Sequence, residues 1–526
     1  MTARAARGPI RLIAGFLTVG GWTMASRVLG FARDILIAAF LGAGPAAQAF
    51  VVAFTLPNLF RRFFAEGAFN TAFVPMFSHR LERGEDAQGF AEDALAALTA
   101  FLLLFTLIAT FAMPWLVLAL ASGFAGDARF DLATLLGRIA FPYMLFISLA
   151  ALLSGVLNAA GRFAAAAAAP VLLNVVLIAA LLSAEAMAQP TAPPGWHAMG
   201  LTVGVPLAGV AQLALVWIAA ARAGYPLRLR LPRWTPGLAR LAAVALPAAL
   251  AGGVVQINLV VGRQVASYFD GAVAWLYLAD RLYQLPLGVV GVAVGIVLLP
   301  ALTRRLAAND ASGARNAVSR AAEISLALTL PAAVALMVIP TPLVSVLFGR
   351  GAFGPADVAA TALAVAVYGA GLPAFVLQKV VQPVYFARED TKTPFRLALW
   401  AMLVNAAVAI GLAPILGYLS AALATTAAAW IYLALLWWRA RNVGPELAPD
   451  DRLRRRLPRL ALASLLMGSA VALFSALLAE VLSMPAWRYG ALAALVAGGL
   501  AVYGAACLAL RAITPAEIRA SLRRRG

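Results

Sequence analysis

The chain has 526 residues, of which 63% are hydrophobic and only 12% are charged. Soluble globular proteins have about 45–50% apolar and about 25% charged residues, so this composition excludes an ordinary soluble domain. The net charge of +19 would suggest a nucleic-acid partner in a soluble protein. In a membrane protein, however, basic loops set the topology, so we expect no nucleic acid.

Long apolar runs recur from end to end and predict an all-α polytopic membrane protein with fourteen transmembrane helices. Each run reaches the roughly 20 residues that a spanning helix needs, and none alternates like a β-barrel strand. The first run is too long and contains too many arginines for a signal peptide, so we interpret it as a retained span. The segments cover about residues 10–40, 48–78, 92–122, 130–158, 163–188, 196–222, 237–268, 271–303, 312–347, 355–386, 394–416, 418–441, 457–483 and 487–511.

The basic residues orient these segments. With the N-terminus inside, 30 of the 41 lysines and arginines fall on cytoplasmic ends and loops, and four fall on outer loops. This is the pattern of the positive-inside rule, so we expect both termini in the cytoplasm. The outer four are Arg129, Arg138, Arg350 and Arg488. Seven basic residues remain within spans: Arg27, Arg33, Arg61, Arg62, Arg263, Arg281 and Lys379.

The two halves of the chain repeat each other. Pro75 and Pro300 are 225 residues apart, whereas the pairs Pro142/Pro373 and Asn174/Asn405 are both 231 apart. A six-span repeat of unchanged orientation predicts two six-helix lobes related by a pseudo-two-fold axis along the membrane normal. We place the N-lobe at residues 1–222, the C-lobe at 223–442, and a basic linker with two additional C-terminal helices at 443–526.

We find three clear acidic partners for the seven basic residues within spans: Asp34, Glu66 and Asp280. Arg62 and Glu66 are four residues apart and can pair on one helix face, and Asp34 is expected to face the Arg27 side of its helix. A formal excess of about +4 remains, which is unstable in a low dielectric without water or an anion. We therefore expect a water-filled cavity between the lobes, whose arginines bind a polyanionic head group.

Other chemistry is not indicated. The chain contains no GxxxxGK[ST] nucleotide-binding loop and no nucleophile–base constellation, so we expect a secondary transporter that is not an enzyme and has no cofactor. His79 and His197 are far apart in the sequence, so no metal site is expected. Cys507 lies alone in the last apolar run and predicts an inert buried thiol. For Lys379, snorkelling at a span end is as good an interpretation as facing the cavity.

Four sequence blocks resemble a known family. They read SRVLGFARD (Ser26–Asp34), LPNLFRRFFAEGAFNTAFVP (Leu56–Pro75), ADRLYQLPLGVVGVA (Ala279–Ala293) and YFAREDTKTP (Tyr385–Pro394). These blocks are similar to the lipid II flippase family MurJ, also called MviN, of the multidrug/oligosaccharidyl-lipid/polysaccharide exporter superfamily. The resemblance implies that an undecaprenyl-pyrophosphate-linked peptidoglycan precursor moves from the inner to the outer leaflet of a bacterial cytoplasmic membrane.

The resemblance also implies roles for individual residues. The substrate-binding arginines match Arg27, Arg33, Arg61 and Arg281, and spans 13 and 14 match a groove for the lipid tail. The supporting charges are Asp34, Arg62, Glu66, Asp280 and Arg263. The implied partners are lipid II, membrane lipids, and proteins of cell-wall synthesis and division.

Two departures from the family pattern bear on the mechanism. Some members have an Asp where this chain has Gln48. Some bind sodium through carboxylates in spans 7 and 11, but no Asp or Glu occurs between Arg233 and Asp270 or within span 11. We therefore expect membrane potential, not sodium, to drive transport. The alternatives are another exporter of the superfamily, for drugs or polysaccharide-linked lipids, and a non-transporting scaffold that holds lipid head groups.

Overall fold

The computed structural model describes residues 9–62, 70–191, 193–440 and 444–514. Within these residues the chain is built from α-helices without a β-strand, as predicted. The contacts between residues group the chain into two compact units, Met1–Ala274 and Trp275–Gly526. The lobe boundaries at residues 222 and 442 stay predictions.

The first unit contains ten helices within its described residues. They are α1 (Pro9–Leu41), α2 (Pro45–Arg61), α3 (Asn70–Arg83), α4 (Ala87–Phe111), α5 (Met113–Ala121), α6 (Ala128–Ala140), α7 (Tyr143–Ala159), α8 (Ala164–Ala186), α9 (Trp196–Arg222) and α10 (Pro236–Ala266).

The following helix begins at the end of the first unit and continues into the second. The described helices from there onward are α11 (Ala272–Ala307), α12 (Ala311–Val338), α13 (Pro340–Phe348), α14 (Pro355–Phe386), α15 (Lys392–Leu416), α16 (Leu419–Ala440), α17 (Asp451–Leu477), α18 (Ala479–Ser483) and α19 (Arg488–Ala509).

Ten helical segments in the described part of the chain are long and apolar enough to cross a membrane. They confirm the class of polytopic helical membrane protein. The segments are Ala87–Phe111, Ala128–Ala159, Ala164–Ala186, Trp196–Arg222, Ala311–Val338, Pro355–Phe386, Lys392–Leu416, Leu419–Ala440, Asp451–Leu477 and Arg488–Ala509.

Several predicted spans are not continuous helices. The segment predicted at 92–122 is broken between α4 and α5, the one at 130–158 between α6 and α7, and the one at 312–347 between α12 and α13. Pro114, Pro142 and Pro340 lie at these breaks. Proline has no backbone N–H and its ring clashes with the preceding turn, which interrupts a helix. The break after α4 and the break after α12 are each followed by a nine-residue helix, α5 and α13 respectively.

The helices α4 and α12 begin with the same cap. The Asp86 carboxylate accepts a hydrogen bond from the Gly89 N–H at 2.7 Å, and that of Asp310 accepts one from the Gly313 N–H at 2.8 Å. A Cβ at Gly89 would lie 2.1 Å from Asp86 Oδ2, so a side chain there would displace the cap. The hydrogen bond from Gly313, with a further one from Ser312, lowers the pKa of Asp310.

A buried glutamate of α4 holds the segment between α9 and α10. Glu92 is fully buried, and its carboxylate accepts the backbone N–H of Arg228 at 3.1 Å and the Gln88 amide at 3.3 Å. It also forms an ion pair with Arg230. Since a buried carboxylate without partners is costly, these contacts fix the connecting segment against α4.

A buried glutamate of α12 binds arginines in the first turns of α17. The Glu323 carboxylate accepts hydrogen bonds from Arg456 at 2.6 Å and Arg452 at 3.1 Å, and it pairs with Arg320 on its own helix. Arg315 adds hydrogen bonds to the carbonyl oxygens of Ala448 at 2.9 Å and Pro449 at 2.7 Å. Among the described residues, Glu92 thus holds the segment before α10, whereas Glu323 holds the first turns of α17.

We expect Glu323→Ala to destabilise the second unit. Removing one partner of a buried ion pair leaves the remaining charges uncompensated, and because Arg452 is half exposed we expect a loss of about 2 kcal/mol or more. Thermal unfolding of the purified protein in detergent measures this as a lower melting temperature. The control is Glu480→Ala, which removes an exposed carboxylate from the same unit. Equal melting temperatures for the two variants would contradict the prediction.

Candidate functional site

Arg33 is a buried and hydrogen-bonded charge of the predicted site. It is only 6% exposed on α1, and its Nη2 and Nε donate to Asp34 Oδ1 at 2.7 and 3.1 Å. Its Nη1 donates to Asn174 Oδ1 on α8 at 3.0 Å. The Asp34 carboxylate thus pairs with its neighbour Arg33. From the sequence, Asp34 was expected to face the Arg27 side of the helix. A charge buried among apolar helices is therefore compensated within the α1–α8 contact.

Asn174 completes this contact from the other helix. Its Nδ2 donates to the Ser26 carbonyl oxygen at 2.9 Å and to the Pro170 carbonyl oxygen at 3.2 Å. A Cβ at Gly30 would come within 3.4 Å of Asn174 Nδ2, so a glycine suits the close approach of the helices. In the sequence, Asn174 stood out only as a marker of the repeat. Its recurrence as Asn405 was the available signal that this polar residue has a fixed position.

Arg27 differs from Arg33 in its surroundings. It is half-buried on α1 and makes no hydrogen bond or ion pair among the described residues. Six residues separate the two arginines, which corresponds to about 240° around a helix, so they lie on different faces of α1. No described side chain therefore compensates the charge of Arg27, so another group must do so.

Arg61 ends α2 in a half-buried position. Its Nε lies 3.4 Å from Asn58 Oδ1, and the Asn58 amide donates to the Phe54 carbonyl oxygen at 2.8 Å. Arg62 follows and is exposed. Glu66 lies outside the described residues, so its predicted pairing with Arg62 stays a prediction.

In the second unit, Arg281 lies on α11 beside an aromatic ring. Its guanidinium carbon is 4.6 Å from the centroid of the Tyr277 ring, within the range of a cation–π interaction. The preceding Asp280 accepts a hydrogen bond from Gln284, one turn further along the helix. The aromatic rings of Tyr283 and Phe375, 5.3 Å apart, pack α11 against α14. This packing fixes the helix that carries Arg281.

Arg263 occupies a different kind of position. Its Nη1 donates to the Val273 carbonyl oxygen at 2.9 Å and so closes the turn between α10 and α11. Lys379 on α14 is exposed and has no ion pair among the described residues. Cys507 is buried, as predicted. The described residues contain no cluster of histidine, cysteine and acidic side chains that could hold a metal.

Arg129 was counted as an outer-loop residue, but the structure buries it. Its guanidinium binds Asp127 at 2.6 Å and Asp270 at 3.0 Å, and lies 4.6 Å above the Phe124 ring. Its Nη1 also donates to Gln48 Oε1 at 3.4 Å. Gln48, which stands where some family members have an Asp, therefore contacts Arg129. Burial raises the pKa of Asp127, but the hydrogen bonds and charge of Arg129 outweigh it and lower that pKa overall.

The comparisons with known proteins agree with one another. The family model described as lipid II flippase MurJ matches residues 37–498. A probable lipid II flippase MurJ of Rhizobium tropici is 44% identical over 98% of this chain and 97% of its own length. The lipid II flippase MurJ of Burkholderia cenocepacia is 36% identical over 83% of this chain and 85% of its own.

Solved structures show the same fold. A lipid II flippase MurJ in an inward closed conformation superimposes with a TM-score of 0.78 at 24% identity, covering 93% of this chain and 97% of that one. An inward-facing MATE-family multidrug transporter gives 0.66 at 16% identity, covering 79% and 94%. The family model and the near-full-length relatives place the chain in one group: it belongs to the lipid II flippase MurJ family.

Proposed function

We propose that this chain is a lipid II flippase of a bacterial inner membrane, which moves the undecaprenyl-pyrophosphate-linked peptidoglycan precursor from the cytoplasmic to the periplasmic leaflet by alternating access. Membership of the family supports the substrate class. The observation that carries the site is Arg27, a half-buried cation in an apolar helix with no ion pair among the described residues. Charge in such a position is costly, and a pyrophosphate would offset that cost.

The proposed ligands of the pyrophosphate are Arg27, Arg33, Arg61 and Arg281. A guanidinium suits this task because it is planar, stays charged and donates two parallel hydrogen bonds to a phosphate. The Arg33 guanidinium is already oriented by Asp34 and Asn174, so little conformational entropy would be lost when it binds an anion. Asp34, Arg62, Glu66, Asp280 and Arg263 act as supporting charges.

The proposed topology has fourteen spans, two six-helix lobes and two C-terminal helices, with both termini in the cytoplasm. The ten candidate spans are supplemented by α1, α10 and α11, which at 33, 31 and 36 residues are long enough to cross a bilayer. The fourteenth is the span predicted at 48–78, part of which lies outside the described residues. The two C-terminal helices α17 and α19 pack together through Met467, Val471 and Leu495. Their exposed residues Leu473 and Leu500 offer an apolar surface for the proposed lipid tail.

The alternatives make different demands on charge. A multidrug exporter of the same fold would need acidic cavity residues to hold cations, whereas the charges within α1 and α2 are mainly basic. A scaffold would hold head groups without moving them. Detection of both inward-open and outward-open states by engineered cross-links would contradict the scaffold.

Arg27→Ala and Arg33→Ala should separate function from stability. For Arg27→Ala we expect at least about tenfold slower flipping with an unchanged melting temperature, because the loss of a charge-assisted hydrogen bond to substrate costs about 1.5–3 kcal/mol. Arg33→Ala should lose flipping and also melt at a lower temperature, since it leaves Asp34 buried and uncompensated. Reconstituted flipping assays and thermal unfolding measure both. Arg138→Ala, an exposed arginine on α6, is the control, and flipping by Arg27→Ala at the rate of that control would contradict the role of Arg27.

Asn174→Ala tests whether Asn174 positions Arg33. We expect slower flipping at unchanged protein level and a greater loss than for Asn174→Asp, because an aspartate still accepts the hydrogen bond from Arg33 Nη1. A purely structural role would instead make Asn174→Asp the worse variant, since burial of a further carboxylate is costly. The ratio of the two flipping rates decides between these roles.

Transport should respond to membrane potential more than to sodium. Neither α10 nor α15 contains an Asp or Glu, so these helices lack the carboxylates through which some family members bind sodium. In proteoliposomes, complete replacement of sodium by potassium should leave the flipping rate nearly unchanged. Dissipating an imposed potential of about 100 mV, worth about 2.3 kcal/mol per charge moved across, should lower the rate. A rate that follows sodium at constant potential would overturn this expectation.

A further inference from the structure

A second basic site lies away from Arg27 and Arg33. A cavity of about 660 Å³ opens between the C-terminal end of α3 and the N-terminal end of α10, both in the first unit. Its charged lining consists of Arg80, Arg83, Arg240 and one carboxylate, Glu85, with His79 at the side. None of these residues belongs to the proposed pyrophosphate site.

An aromatic floor holds one of these arginines in place. The guanidinium carbon of Arg80 lies 4.4 Å from the centroid of the Phe90 ring, which itself stacks on Phe73 at 5.6 Å. Because Phe73 and Phe90 are buried, the cation–π contact rests on a rigid surface and limits the freedom of the Arg80 side chain. Its Nη2 lies so close to the start of α10 that a Cβ at Gly237 would come within 2.7 Å of it.

The charges of the cavity are not balanced by its own carboxylate. The Arg83–Glu85 pair is separated by 3.9 Å with both side chains largely exposed, and such a pair is worth little in water. Arg80 and Arg240 have no ion pair among the described residues. Three guanidinium groups around one cavity favour a ligand with several negative oxygens, and their planar donors match phosphate.

The position of the cavity indicates where such a ligand comes from. Arg83 and Glu85 lie four and two residues before Ala87, the first residue of the candidate span α4, so we place the cavity at the level of the lipid head groups. Glu92 of α4 binds Arg228 and Arg230 and thereby holds the segment that leads into α10. The opposite wall, with Gly237 and Arg240, follows this segment, and α10 also contacts α3 directly.

We propose that this cavity binds the phosphate group of an anionic lipid head group at the membrane surface. Arg80, Arg83 and Arg240 supply the guanidinium donors, and Glu85 limits the affinity by repelling the ligand. The site is separate from the proposed pyrophosphate ligands, so the proposal does not depend on the flippase function. A free phosphate ester would offer the same oxygens, and the experiment distinguishes the two sources.

The test uses the full chain in nanodiscs of phosphatidylcholine. Binding of a spin-labelled phosphatidylglycerol is measured for the wild type, for Arg83→Gln/Arg240→Gln and for Arg454→Gln/Arg455→Gln. The last variant removes two exposed arginines of α17 and so controls for general surface charge. The cavity variant should bind at least about tenfold more weakly, since each basic residue near an anionic surface contributes roughly fivefold. The control should change much less.

Glu85 gives a test of opposite sign. Glu85→Gln should tighten binding of the labelled lipid, whereas Asp451→Asn, at an exposed position of α17, should leave it nearly unchanged. Competition by inorganic phosphate at the wild-type cavity would show that the phosphate oxygens alone suffice, and binding of phosphate without lipid would assign the site to a free phosphate. The proposal is overturned if neither probe responds to Arg83→Gln/Arg240→Gln, or if both arginine variants lose binding equally.

Discussion

The hydrogen-bonded group of Arg33, Asp34 and Asn174 is the interaction on which the first unit's proposed site depends. A guanidinium in an apolar helix needs a counter-charge and acceptors, because water is not available there to solvate it. Asp34 supplies the charge from the same helix and Asn174 supplies an acceptor from α8. The same contacts tie α1 to α8 and fix the face on which α1 carries its other charge. Arg27, six residues earlier, then projects from a different face of the helix.

The two halves repeat their architecture more closely than their charges. Both have a capped long helix, a proline break, a nine-residue helix and a buried glutamate on the capped helix that pairs with arginine. The polar residues differ in their contacts. Asn174 binds Arg33, whereas Asn405 is equally buried but its Nδ2 has no hydrogen-bond partner in the described part of the chain. Arg263 of α10 closes a turn by binding a carbonyl oxygen. The two halves therefore share the arrangement of their helices, but their polar residues make different contacts.

Much of the helical frame follows from apolar run length, and the spans of α8, α9, α15 and α16 lie within a few residues of the segments predicted for them. The breaks were missed because a hydropathy run continues through Ala112 and Ile339 although proline ends the helix beside each. The ion pair between Arg33 and Asp34 was not predicted, because the helical periodicity placed Asp34 on the Arg27 side. Asn174 could not be predicted either, because its contact over 141 residues depends on how closely α1 and α8 approach at Gly30. Arg129 was assigned to a loop from its position, and position alone does not reveal burial.

The buried glutamates explain how a chain with so many arginines at its helix ends keeps defined connections. A segment rich in like charges repels itself and stays extended, unless a carboxylate with low solvent access collects several of its donors. Glu92 does so for the segment before α10, and Glu323 does so for the first turns of α17. The segment that Glu92 binds leads into the start of α10, which faces Arg80. The contacts of Glu92 therefore also affect the surroundings of Arg80. One buried carboxylate thus sets both the connection into α10 and the shape of the neighbouring basic cavity.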